Sequence, residues 1–252
     1  MNSLVSIITT LYNYRRYIGY LAESVLKQTY NDWEWIIVDD ASTDNPLEVL
    51  EKYLSPQVIY IKLEKNYGYS YAKNIGIKNS RGSYLVMIDA DDMLTENSLR
   101  LRKKALDENP TKLWCHGECL VINRGSVSEE SRNWKRQFRR KLKNDGMDLT
   151  KNYHHRLIHA QSVMVRREIH KKYGLYDEGL RFSSDNEMWR RFIRFGEIPV
   201  HIEDFVAIYR VHPDRMARSK YKKERINIVK KQIIEDVERR FNQGIEKELL
   251  WA

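Results

Sequence analysis

The stretch Tyr84-Leu85-Val86-Met87-Ile88-Asp89-Ala90-Asp91-Asp92 decides the fold. Its unbroken apolar run, bounded by Gly82 and by acids, is the pattern of a strand covered on both faces. Such strands belong to parallel sheets flanked by helices, and ligands bind in the crevice beyond the strands' carboxyl ends. Asp89, Asp91 and Asp92 stand at that end. Carboxylates packed together repel one another unless protons or a divalent cation neutralise them. Hard oxygen ligands suit Mg²⁺ or Mn²⁺, commonly shared with substrate phosphates. The same acids also read as a solvated loop leading into a helix capped near Thr95.

Upstream, the chain alternates two periods. Leu4 to Thr10 is apolar and β-branched and predicts a strand; Ile18, Leu21, Ala22, Val25 and Leu26 then recur at helical spacing. Trp33 to Val38 predicts a second strand ending at Asp39-Asp40. Asn45-Pro46 reads as an N-cap followed by proline at the first helical position. A third strand is expected over Val58 to Leu63, then a helix over Ser70 to Asn79 and another stopping before Pro110. This alternation predicts an α/β fold: a Rossmann-like, mainly parallel sheet with helices on both faces. That order brings Thr10, Asp39, Asn66 and Asp89 to one sheet edge.

Beyond Pro110 the pattern changes. Leu113 to Asn123 reads as one strand or two, and residues 124–160 are polar and irregular. Helices are expected at Arg167–Tyr173 and Asp185–Phe195, ended by Gly174 and Gly196. Val200 to Tyr209 predicts a strand. From Tyr221 to Trp251, apolar residues at near-helical spacing predict a carboxyl-terminal amphipathic helix. The expected organisation is a ligand-binding half (1–110), a second half of the same domain (111–215) and the terminal helix (216–252).

Of 252 residues, 42% are hydrophobic and 31% charged, an ordinary globular composition with length to spare for a core. No apolar stretch reaches the roughly 20 residues of a spanning helix, and Met1-Asn2-Ser3-Leu4 lacks signal-peptide character, so a cytoplasmic location is expected. Cys115 and Cys119 read as structural thiols on a strand, since Cys115-His116-Gly117-Glu118-Cys119 has no second ligand pair. The net charge of +9 favours anionic partners. Seven cations lie within Arg132–Lys143, where Trp134, Phe138 and Leu142 fall four apart. That amphipathic segment has three readings: a stripe packed on the core, a helix lying on an anionic membrane, or an acceptor-binding element. No motif for sequence-specific nucleic-acid recognition is present.

The order of these signals resembles the family 2 inverting glycosyltransferases of the GT-A fold, over residues 3–215. The resemblance rests on Val5-Ser6-Ile7-Ile8-Thr9-Thr10-Leu11-Tyr12-Asn13, Ser24-Val25-Leu26-Lys27-Gln28-Thr29 and Ile36-Ile37-Val38-Asp39-Asp40-Ala41-Ser42-Thr43-Asp44. It continues through Asn66-Tyr67-Gly68, Ala72-Lys73-Asn74-Ile75-Gly76 and Asp89-Ala90-Asp91-Asp92. It implies a nucleotide-sugar donor, UDP-linked by family habit, held across the sheet edge. Asp39 would accept a hydrogen bond from the base, with Thr9 and Tyr12 lining its pocket and Asn66 and Lys73 in the same donor-binding set. Asp89 would reach the ribose or the metal, and Asp91 would ligate Mn²⁺ or Mg²⁺ at the diphosphate. Asp92 is a supporting partner or a further ligand. Tyr209-Arg210-Val211-His212 implies Arg210 on the phosphates and His212 on the metal or diphosphate.

The family places its general base at a helix start, after a segment matched here by Gly174-Leu175-Tyr176-Asp177-Glu178. Asp185 matches that base; it also reads as a helix N-cap, and Glu187 is the alternative base. The chain departs from the family at Leu11 (often Pro), Lys73 (often Arg) and Ser184 (often Glu). The acceptor expected is a glycan or lipid-linked hydroxyl, as in polysaccharide biosynthesis, with peripheral contact at a membrane's inner face through the basic segment. Other readings are a nucleotidyltransferase, which would need a glycine-rich loop where Leu11-Tyr12-Asn13-Tyr14 stands. A phosphatase using Asp89 as nucleophile and a non-catalytic binding module complete the set.

Overall fold

A computed structural model describes residues 3–123, 126–145, 148, 154, 157–180 and 183–214. The expected terminal helix at 216–252 and the side chains of Arg132 and Trp134 lie outside the described residues. Four parallel strands form the first half: β1 (Val5–Leu11), β2 (Trp33–Asp39), β3 (Val58–Lys62) and β4 (Tyr84–Met87). Their crossovers are α1 (Arg15–Leu26), α2 (Leu47–Leu50) and α3 (Tyr69–Lys78). Next come β5 (Met93–Leu94), α4 (Ser98–Asp107), β6 (Trp114–Asn123), β7 (Ser126–Ser128) and α5 (Glu130–Asn144). The last elements are β8 (Val163–Arg166), α6 (Glu168–Tyr173), α7 (Ser184–Arg194) and β9 (Val200–Val211).

All nine strands join one sheet, in the order β3-β2-β1-β4-β8-β6-β9-β5 with β7 on β6. It is mixed: β8 runs antiparallel to both β4 and β6, whereas β6 and β9 are parallel. Every residue of β1 and β2 is buried, as expected of strands covered on both faces. Val5, Ile7, Trp35 and Ile37 face α1 and α4 through Ile18, Leu21, Val25, Leu99 and Leu106. On the other face Ile8, Leu85 and Met87 meet Ile77 of α3 and Met188, Trp189 and Phe192 of α7. Each such side chain contributes roughly 1.5–3 kcal/mol by leaving water. These two clusters fix the strand ends, and with them the site.

Two local expectations change, and one alternative is settled. Asn45 does not cap α2: it is left-handed at φ 55°, and its amide donates to Glu48 instead. Thr95 does not cap α4, whose preceding residue is Asn97. Its hydroxyl donates to the Phe205 carbonyl at 2.8 Å, tying the start of α4 to β9. Residues 114–123 form one strand, broken in register around Glu118. Cys115 and Cys119 are buried free thiols on it.

The basic segment forms α5. Leu142 is buried with Leu157 and Ile198, and Phe138 packs against them, so this stripe is covered by protein. Of its three readings, the core-packed one describes Phe138 and Leu142. Among the described residues no helix is long and apolar enough to cross a membrane.

Candidate active site

The acidic loop follows β4 directly. Asp89, Asp91 and Asp92 bring ligand atoms within 4.8 Å of one another. Asp92 is 1% exposed. Its Oδ1 accepts the Arg210 backbone N–H at 2.8 Å, and its buried Oδ2 has no hydrogen-bond partner among the described residues. Burial pushes the Asp89 carboxyl up to about 6; Lys73 opposes that rise, and Asp91 and Asp185 add to it. Burial, then the charges of Asp91 and Asp89, hold Asp92 well above the usual carboxylate range. Three clustered acids, one with an orphaned buried oxygen, are a donor set that fits Mg²⁺ or Mn²⁺.

β9 returns to this loop from the far edge of the sheet. Arg210 Nε donates to the Asp91 carbonyl at 3.1 Å, and its guanidinium lies 4.6 Å over the Tyr20 ring. His212 is buried, with Nε2 2.9 Å from Asp91 Oδ2 and its ring 4.2 Å from Tyr17. His212 and Asp91 therefore stand together, as the sequence led one to expect.

Asp185 lies in the first turn of α7, after Ser183 at φ 61°. A left-handed serine costs about 1 kcal/mol or more, and α7 starts there nonetheless. Asp185 makes no cap: its Oδ1 pairs with Lys73 Nζ at 2.6 Å. That pair is nearly out of water, with Lys73 3% and Asp185 16% exposed along their side chains. The Lys73 ammonium also lies 4.0 Å from the Tyr69 ring centroid and 4.8 Å from that of Tyr176.

One phenol joins the two acid systems. Tyr69 Oη donates to Asp89 Oδ1 at 2.6 Å and lies 3.2 Å from Asp185 Oδ2. Tyr176 also hydrogen-bonds Asp185. Burial first, then the charge of Asp185, keep both phenols well above 10 and so protonated. Gln161 Nε2 donates to Asp89 Oδ2 at 3.1 Å, closing the same pocket from the second half of the chain. Glu187, the alternative base, is excluded by position: it is 0% exposed and paired with Arg191 at 2.8 Å. Asp177 and Glu178 hold the preceding loop, accepting from the Gly179 N–H and the Asn74 amide.

Two residues expected in the donor pocket are withdrawn from solvent. Thr9 is fully buried, and its hydroxyl accepts the Trp35 indole N–H at 2.9 Å. It anchors β1 to β2 rather than lining a pocket. Asp39 is also fully buried. One oxygen accepts the Ser42 N–H at 2.8 Å and the other the Tyr60 hydroxyl. Asp40 next to it accepts the Tyr67 and Gly68 N–H groups at 2.7 and 2.8 Å, shaping the loop that carries Asn66. Asn66 donates to the Asp40 carbonyl, and Tyr12 is 45% exposed beyond β1. Lys73 points at Asp185, into the pocket it shares with Tyr69 and Asp89.

The sequence profile of glycosyl transferase family 2 matches residues 6–174. The chain belongs to this family. An uncharacterised glycosyltransferase of Rickettsia typhi is 30% identical over 198 residues, 77% of this chain and 60% of its own length. TuaG of Bacillus subtilis, named for teichuronic acid biosynthesis, is 28% identical over 87% of this chain and 83% of itself. The chain thus spans well under the full length of the Rickettsia relative. Among solved structures, Staphylococcus aureus TarS in complex with UDP-GlcNAc aligns at TM-score 0.70. It is 18% identical and covers 98% of this chain and 68% of that one. A Pyrobaculum calidifontis mannosyltransferase with GDP-Man and Mn²⁺ aligns at 0.66 and 18% identity, covering 96% and 65%. These neighbours share the GT-A fold with this family 2 member.

Sequence reading missed Tyr69, Tyr176, Gln161 and Asp40. Tyr69 carries a usable signal, since it precedes Lys73 by one helical turn and so shares its face. Gln161 lies just past a stretch with no periodicity and carries none.

Proposed function

We propose that this chain transfers a sugar from a nucleotide-sugar, UDP-linked first among donors, to a hydroxyl of a glycan or lipid-linked acceptor. The transfer inverts the anomeric centre and is assisted by Mn²⁺ or Mg²⁺. The observation that carries this reading is the Tyr69 hydroxyl lying 2.6 Å from Asp89 and 3.2 Å from Asp185. A cation-binding acid and a spare carboxylate therefore face one pocket. The nucleotide-sugar complexes of TarS and the Pyrobaculum enzyme support the donor class, and the latter's Mn²⁺ supports the cation.

Asp89 and Asp91, with Asp92 and His212 beside them, would hold the cation, which when bound offsets negative charge on the departing diphosphate. Arg210, whose guanidinium donates to the Asp91 carbonyl, would add a second positive charge there. Asp185 takes the proton of the acceptor hydroxyl as that oxygen attacks the anomeric carbon and the bond to phosphate breaks. Lys73 and the two phenols hold the Asp185 carboxylate in one rotamer, leaving its remaining lone pairs for the acceptor. Acceptor chemistry of the polysaccharide kind and action at a membrane's cytoplasmic face belong to the same proposal.

The test is a pair of variants. Asp91→Ala and Asp185→Asn should each abolish transfer from a donor chosen by its rise in Tm with Mn²⁺, which follows from mass action. Asp185→Asn should keep that rise, because the base does not hold the donor. Full turnover in Asp185→Asn would remove Asp185 from the chemistry.

A further inference from the structure

A second concavity lies outside the acidic pocket, between α5 and the β6/β9 pair. It encloses about 350 Å³, at the small end of ligand-sized clefts. Arg136, Arg139, Arg140 and Lys143 line it from one face of α5, at the i, i+3, i+4 and i+7 spacing that aligns side chains. Glu118 of β6 and His201 and Glu203 of β9 line the opposite wall.

The charge there does not cancel. Glu118 is 1% exposed, and its Oε1 already takes Arg139 at 3.2 Å and His201 at 2.7 Å. Four α5 cations face the acids Glu118 and Glu203 across the cavity, so positive charge is in excess. One turn earlier, Lys135 is 2% exposed, and its Nζ has no hydrogen-bond partner among the described residues. It adds positive charge behind the Glu118 wall. Complementing the helix dipole accounts for lysines in the last turn, Lys141 and Lys143. It does not account for Arg136 and Arg140, which precede that turn and share the cavity. Concave walls of one sign focus their field, and guanidinium forks match phosphate oxygens.

We propose that this cavity binds a phosphate ester, at a site distinct from the Asp89–Asp91 cluster. The ligand is a discrete phosphate group rather than a lipid surface. The site is a cavity, and Phe138 and Leu142, the described part of the helix's apolar stripe, pack into the protein. The inference stands on its own, whatever the role of Asp185.

The test uses the full chain in metal-free, low-salt buffer, with glycerol 3-phosphate and inorganic phosphate as probes in calorimetric titrations. Both should bind, with affinity falling as salt rises. Arg136→Gln/Arg140→Gln/Lys143→Gln, all at exposed positions, should weaken binding by about tenfold or more. Asp91→Ala should leave it unchanged. Unaltered affinity in the triple variant overturns the proposal, as does loss of binding in Asp91→Ala. Binding to vesicles of phosphatidylglycerol and phosphatidylcholine without binding to either soluble probe overturns it as well, in favour of a lipid surface.

Discussion

Replacing Lys73 by Met should destabilise the protein far more than a change of one surface charge. Lys73 Nζ stands 2.6 Å from Asp185 Oδ1, with 3% and 16% of the two side chains exposed. Breaking a buried ion pair from one side costs about 3–5 kcal/mol, because the survivor is left charged without a counter-ion. Asp185 keeps some water and two phenol hydrogen bonds, so the lower end, about 3 kcal/mol, is expected. For a chain of this size that lowers Tm by about 6–12 °C. Urea unfolding in metal-free buffer at neutral pH measures it. Lys73→Met/Asp185→Asn, which removes both charges, should recover most of the loss. A Lys73→Met loss below about 0.5 kcal/mol, the scale of an ordinary surface substitution, refutes the reasoning. So does a double variant no more stable than Lys73→Met.

Two further outcomes follow from buried groups. His170 is 1% exposed, and burial pushes its imidazole down to about 4. The unfolded chain takes up that proton near pH 6.5 and the folded chain only near 4. Stability is therefore whole above about pH 6.5 and falls by up to about 3 kcal/mol as pH drops toward 4. In His170→Asn the slope of unfolding free energy across that window should flatten by about 1.4 kcal/mol per pH unit; an unchanged slope counts against a buried neutral imidazole. Burial likewise pushes the Cys115 and Cys119 thiols up to about 12. The folded protein at pH 8 should resist iodoacetamide until urea unfolds it, and labelling of either thiol at the rate of a free peptide cysteine contradicts the assigned burial.

The first half of the fold was legible because its strands are long apolar runs and its helices carry a clear period. Leu4–Thr10, Trp33–Val38 and Val58–Leu63 are each within a residue of β1, β2 and β3. The helix of Asp185 was legible for the same reason. β5 was not, since its two residues become a strand only by pairing with β9, more than a hundred residues on. Thr95 looks like a cap because the acceptor its hydroxyl finds, the Phe205 carbonyl, is equally remote. The acids split along this line. Asp89 and Asp91 were legible from their type and place at a strand end, whereas Asp185 was singled out by its match to the family pattern. Asp39 has the same credentials, yet the Tyr60 hydroxyl, from the neighbouring strand, takes up its second oxygen. Local sequence shows that a carboxylate exists, not which distant hydroxyl has claimed it.

β4 ends at Met87 and β5 begins at Met93, yet these strands pair with β1 and β8 on one side and with β9 on the other. The Ile88–Asp92 connection is thus pinned at both ends, joining a central strand of the sheet to its edge. Slack is absent there: one inserted residue would swing Asp91 away from His212 or tear β5 off β9. Length, rather than chemistry, is the property this bridge can change least, and adaptation to new substrates must come from loops anchored at one strand only.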